Sequence, residues 1–146
     1  MSFWWNRNIR IISGSSRAPC TATPFPTFTS FSRGATKCRR NPTVPREILD
    51  NAVIVHNLED ALADCDYAVA FSRRIFESVQ PHTSLPKLAE KLPAEGRVAL
   101  VFGRESCGLR DDEVERCALI CEIPVPGLMS LNLAQAVSVG CYELCR

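Results

Sequence analysis

The chemistry-bearing residues of this chain crowd into one stretch, Val98 to Asn132. An apolar run, Val98-Ala99-Leu100-Val101-Phe102, opens directly into Gly103-Arg104-Glu105-Ser106-Cys107-Gly108-Leu109. A second, Ala118 to Ile123, opens into Pro124, Pro126 and Gly127 and then Ser130-Leu131-Asn132. Glycine after a strand permits a positive φ and lets a small ligand approach bare backbone. Three polar residues flank these turns. Glu105 offers a carboxylate able to orient a neighbouring cation. Ser130 is a good helix N-cap. Asn132 falls in a first helical turn, where free N–H groups and the helix dipole favour polar ligands. Each feature has a plainer reading: a strand-ending turn at Gly103, a surface carboxylate at Glu105, a cap and nothing more at Ser130. As a set they point to a compact ligand held against bare backbone at two strand-ending turns.

The elements that must position these residues follow an alternating pattern. Pro45 to Asp50 reads as a short helical turn and Ala52 to Val55 as a strand. Asn57 to Asp64 reads as a helix, with Asn57 as N-cap and Asp60 three residues on. Tyr67 to Phe71 is an apolar strand ending at Ser72-Arg73-Arg74. Ser84 to Leu92 reads as a helix with Pro86 near its first turn, where proline is tolerated. The two strands of the motif stretch follow, separated by an acidic helix from Asp111 to Cys117, and the chain closes on a helix from about Leu131 to Leu144. Strands alternating with helices predict an α/β fold, a parallel sheet covered by helices on both faces. Ligands of such sheets bind beyond the carboxyl ends of the strands, where 71–73, Gly103 and the 123–132 loop would converge.

Phe102-Gly103-Arg104-Glu105-Ser106-Cys107-Gly108-Leu109, Ile123-Pro124 and Ser130-Leu131-Asn132-Leu133-Ala134 together resemble the second and third motifs of the SpoU/TrmH branch of the SPOUT RNA methyltransferases. The family pattern is an apolar strand ending in F-G-x-E-x-x-G-L, then I-P, a short loop, and S-L-N opening a helix. The Asn-Leu-Ala-Gln-Ala-Val run and the closing Tyr-Glu-Leu look most like the TrmJ-type tRNA ribose methylases. The resemblance extends less specifically back to about Arg46. It implies a SPOUT fold with a C-terminal trefoil knot, one of the rare exceptions to unknotted topology. It further implies S-adenosylmethionine as cofactor, a tRNA or rRNA ribose 2′-hydroxyl as substrate, and a homodimer with the last helix in its interface. Leu133, Val137, Cys141 and Leu144 follow helical spacing and could form that face or cover the sheet instead. By this resemblance Glu105, Ser130 and Asn132 are the catalytic candidates. Phe71, Ser72, Gly103, Ile123, Ser130, Leu131 and Asn132 are the cofactor-binding candidates. Phe71 stands where the family usually has threonine. The methyl transfer so implied requires no metal, and no membrane partner is implied.

The family's first motif, a strand followed by Asn-x-Gly-x-x-x-Arg, is not recognisable. Asn8-Ile9-Arg10 has arginine where glycine belongs, and Arg17 is out of register. The first strand, the first helix and the second strand are therefore expected to be absent or replaced by residues 1–45, leaving a domain from 46 to 146 incomplete on its N-terminal side. Only fourteen residues follow Asn132, little chain to complete a knot. Such a chain is either a partial version of an active enzyme or a degenerate relative. The rival from another class is a non-catalytic RNA-binding or dimerisation module of the same fold. A dinucleotide-binding domain fails on detail, for G-x-G-x-x-G is missing.

Composition separates the two parts. Residues 1–46 carry eight Lys and Arg and no acid, whereas the sixteen acids all lie in 47–146. The basic part is rich in Ser, Thr, Pro and Arg, as in organelle transit peptides, which points to chloroplast or mitochondrion and otherwise to the cytoplasm. A disordered tail and a basic arm for RNA phosphates fit the same composition. The 46% hydrophobic and 23% charged content is that of a globular chain, and no apolar run approaches the length of a spanning helix. Eight cysteines without an export signal read as reduced thiols. Cys117/Cys121 and Cys141/Cys145 are spaced to share helix faces, and their expected role is as small buried hydrophobes.

Overall fold

A computed structural model of the chain describes residues 9–14, 27–31, 53–74, 79–127 and 131–145. Seven strands, β1 (Ile9–Ser13), β2 (Thr27–Phe31), β3 (Val53–Val55), β4 (Tyr67–Phe71), β5 (His82–Ser84), β6 (Val98–Phe102) and β7 (Leu119–Glu122), form one sheet in the order β3-β2-β1-β6-β4-β7-β5. Every pairing is parallel. The helices are α1 (Leu58–Leu62), α2 (Leu88–Lys91, entered through a 3-10 turn at Leu85–Lys87), α3 (Asp111–Glu115) and α4 (Leu133–Cys145).

The central strand shows why the sheet is covered on both faces. All five residues of β6 are buried, as expected for a parallel strand between two helical layers. Val98, Leu100 and Phe102 pack with Leu85 and Leu88 and with Leu133, Val137, Cys141 and Leu144 of α4. Ala99 and Val101 point the other way, to a cluster with Leu58 and Ala61 of α1 and Val114 of α3. The predicted stripe on α4 therefore covers the sheet. Asn57 caps α1, its Oδ1 accepting the Asp60 N–H at 2.8 Å.

Three expectations need correction. The sheet does not begin at residue 46: β1 lies between β2 and β6, pairing Ile9 with Val98 through Ser13 with Phe102. The strand content of Ile9-Arg10-Ile11-Ile12 is masked in the sequence by Arg10, which interrupts the apolar run. The guanidinium of Arg10 is neutralised outside the strand by both oxygens of Asp64, at 2.5 and 2.8 Å. The β5 strand was not foreseen, because its three residues are stabilised by pairing with β7 and carry no periodicity of their own. Cys117 and Cys121 share no helix face: Cys121 lies in β7, while Cys117 follows α3, and both are buried. The helical turn expected at 45–50 and the rest of the basic segment lie outside the described residues.

Candidate functional site

The carboxyl ends of three adjacent strands, β6, β4 and β7, open into one cavity of about 390 Å³, within the usual range for small-molecule sites of roughly 300–1,000 Å³. From β4 come Phe71 and Ser72, from β6 Phe102 and Gly103, and from β7 Cys121 and Ile123. Leu131, Leu133 and Ala136 close it from the α4 side, and residues 104–109 form another wall. The Phe71 and Phe102 rings are stacked, their centroids 4.3 Å apart and their planes 18° from parallel. Gly140 lets α4 lie against that pair, since a Cβ there would stand 3.3 Å from Phe71 and 3.4 Å from Phe102.

The loop after β6 is a closed turn. Arg104 N–H donates to Gly108 O at 3.0 Å and Gly108 N–H returns a bond to Arg104 O at 2.8 Å. Gly108 has φ +70°, in the left-handed region. A Cβ on Gly103 would lie 2.2 Å from the carbonyl carbon of Gly108 and 2.3 Å from the Leu109 nitrogen. Gly103 is thus required first by the loop folding back on it, a reason different from the ligand approach inferred from sequence.

Electrostatically the loop is anchored to α3 through Glu113, which is 1% exposed. Arg104 donates to both its oxygens, at 3.0 and 2.8 Å. The Arg110 N–H donates to Oε2 at 2.8 Å, and the Arg110 guanidinium lies 3.1 Å from Oε1. Burial alone would raise the Glu113 carboxyl, but the Arg104 and Arg110 hydrogen bonds and charges outweigh it and hold it below the usual range. The hydrogen bond to Glu113 likewise raises Arg104. Arg104 also stands over the Phe31 ring, 5.4 Å from its centroid. Arg74 donates to the Leu109 carbonyl and pairs with Asp111 at 3.6 Å.

Of the residues singled out from sequence, Phe71, Ser72, Gly103, Glu105, Ile123 and Leu131 line the cavity. Asn132 is not among the lining residues. Its Oδ1 accepts the Ala134 N–H at 2.9 Å and its carbonyl accepts the Ala136 N–H at 2.9 Å, so Asn132 caps α4. Ser130, read as the cap, lies outside the described residues. Sequence reasoning passed over Arg104, Arg74 and Glu113. The spacing Arg110-x-x-Glu113, that of an N-cap and its N3 acid, was the available signal for Glu113.

Comparison with known proteins matches this geometry to one family. A family model described as the SpoU rRNA Methylase family matches residues 30–142. The tRNA (cytidine/uridine/adenosine-2′-O-)-methyltransferase TrmJ of Pseudomonas aeruginosa is 41% identical over 120 residues, which is 79% of this chain and 46% of that protein. The tRNA (cytidine-2′-O-)-methyltransferase TrmJ of Methanocaldococcus jannaschii is 38% identical over 104 residues, 68% of this chain and 45% of that protein. The chain therefore spans about half the length of these relatives. Among solved structures, a probable methylase family protein from Haemophilus influenzae superposes with a TM-score of 0.76 at 28% identity, over 94% of this chain and 65% of that one.

Proposed function

The chain belongs to the SpoU rRNA methylase family, and from that premise we propose that it takes part in S-adenosylmethionine-dependent 2′-O-methylation of RNA, with tRNA the favoured substrate. The observation that carries this reading is the convergence of both motif turns and the end of β4 on one cavity. The lining fits the donor: Phe71, Phe102, Ile123, Leu131, Leu133 and Ala136 give apolar surface for a purine, while Ser72 and Glu105 give polar groups for hydroxyl and ammonium contacts. When bound, S-adenosylmethionine supplies a methyl group already activated on a sulfonium. The protein's part is to bring the ribose hydroxyl into line, help its proton leave and exclude competing water. Glu105, the one carboxylate among the described lining residues, orients that hydroxyl. The preference for tRNA follows the names of the TrmJ relatives.

We propose in addition that the chain carries the family's trefoil knot and works as a homodimer through the outer face of α4. Val139 and Tyr142 remain 41% and 70% exposed there, while the inner face is occupied by the sheet. Tyr142→Glu is expected to shift the sedimentation profile from dimer to monomer. An unaltered profile would remove α4 from the interface. The central reading is tested by calorimetric titration with S-adenosylhomocysteine. Saturable binding to the wild-type chain, abolished in Leu131→Arg where the new side chain fills the cavity, is the expected result. A folded wild-type chain that binds nothing would show that the cavity is not a donor site.

A further inference from the structure

A buried acid outside both motifs fastens the glycine loop. Arg104 is the first residue after Gly103 and Arg110 the last before α3, so they bound the loop at its two ends. Both are held by the carboxylate of Glu113, Arg104 through two bonds of 3.0 and 2.8 Å, Arg110 through its backbone N–H at 2.8 Å and its guanidinium at 3.1 Å. Between them Glu105, Ser106 and Cys107 are exposed on the cavity wall. The segment that carries them is set at both its ends.

We infer that Glu113 is a positioning residue for the proposed transfer: by tying Arg104 and Arg110 together it fixes the loop that presents Glu105 to the donor cavity. The inference rests on the reading of that cavity as the donor site, though the attachment of the loop does not. A bidentate carboxylate–guanidinium pair sets orientation as well as distance, and a site group displaced by about 1 Å loses much of its effect. An amide at 113 has one acceptor and one donor, so it cannot receive both arms of Arg104 and the Arg110 N–H together.

The test uses the whole chain as wild type, Glu113→Gln, Glu113→Asp and Arg104→Lys, with two separate readouts. Amide hydrogen exchange without ligand reports the loop. In Glu113→Gln, exchange at Gly108 and Arg110 is expected to accelerate about tenfold or more, with the β6 amides unchanged. Calorimetry with S-adenosylhomocysteine reports the site: affinity is expected to fall about tenfold in Glu113→Gln and to recover part of the way in Glu113→Asp, which keeps the charge on a side chain one methylene shorter. A defect of folding alone would not be rescued in this graded way. Where Glu113→Gln fails to fold, Arg104→Lys, which keeps the charge but loses the fork, is expected to show the same local acceleration. Unchanged loop exchange in the folded variants overturns the attachment, even if ligand binds normally. Faster exchange with unaltered affinity overturns the positioning role. Absence of binding by the wild type overturns the donor-site reading and the role in transfer with it, while the exchange data still decide the attachment.

Discussion

Two glycines beside the cavity are under different constraints. At Gly103 any side chain meets backbone at 2.2 Å, and backbone held in a two-bond bridge cannot yield. Gly103→Ala is expected to cost about 1–3 kcal/mol or more in urea unfolding. At Gly140 the neighbours are ring atoms at 3.3 and 3.4 Å, which can yield slightly, and alanine gains about 1 kcal/mol of helix propensity. Gly140→Ala is expected to lie within about 1 kcal/mol of the wild type by the same measurement. Equal effects at the two positions would contradict the contacts described.

At the scale of elements, α3 and α4 are each secured at the N-terminal end by a polar side chain, Glu113 and Asn132, neither of which lines the cavity. Glu113 is both the N3 acid of α3 and the anchor of the loop. Asn132 caps α4 while occupying a motif position. Losing that cap in Asn132→Ala is expected to lower stability by about 1 kcal/mol, with Asn132→Asp retaining most of it. Urea midpoints for the two variants check the cap. S-adenosylhomocysteine titration of Asn132→Asp then isolates any part the amide plays with ligand, since its cap is intact.

For the whole molecule, the buried thiols set a limit on alkaline stability. Desolvation pushes Cys117, Cys121 and Cys141 up to about 12, against 9.0 for an ordinary thiol. A folded pKa above the unfolded one means the unfolded chain releases its protons first as pH rises. Stability from these groups is therefore intact below pH 9.0 and declines as pH rises from there towards about 12. Urea midpoints should fall between about pH 9 and pH 11, and replacing the three thiols by alanine or valine should flatten that decline. A midpoint independent of pH over this range would mean the thiols are not buried as described. Cys117 is buried in the core on one face of the sheet and Cys121 and Cys141 in the core on the other, so the effect is one of the fold and not of a single site.

The sequence by itself determined the parallel α/β class, the strands at 67–71 and 98–102, and the turn residues that line the cavity, because glycine, proline and unbroken apolar runs act through local backbone sterics and burial. It did not reveal β1, β2 or β5. These strands are defined by their partners, and Arg10 in β1 is accommodated by Asp64, far along the chain, which receives its charge. It also left the capping by Asn132 unread and gave Gly103 an incomplete reason. Which oxygen caps a helix, and what presses on a glycine, depend on how loops fold back in space. The joining of Arg104, Arg110 and Glu113 is likewise a matter of tertiary structure, since a buried carboxylate is stable only where converging donors replace its water.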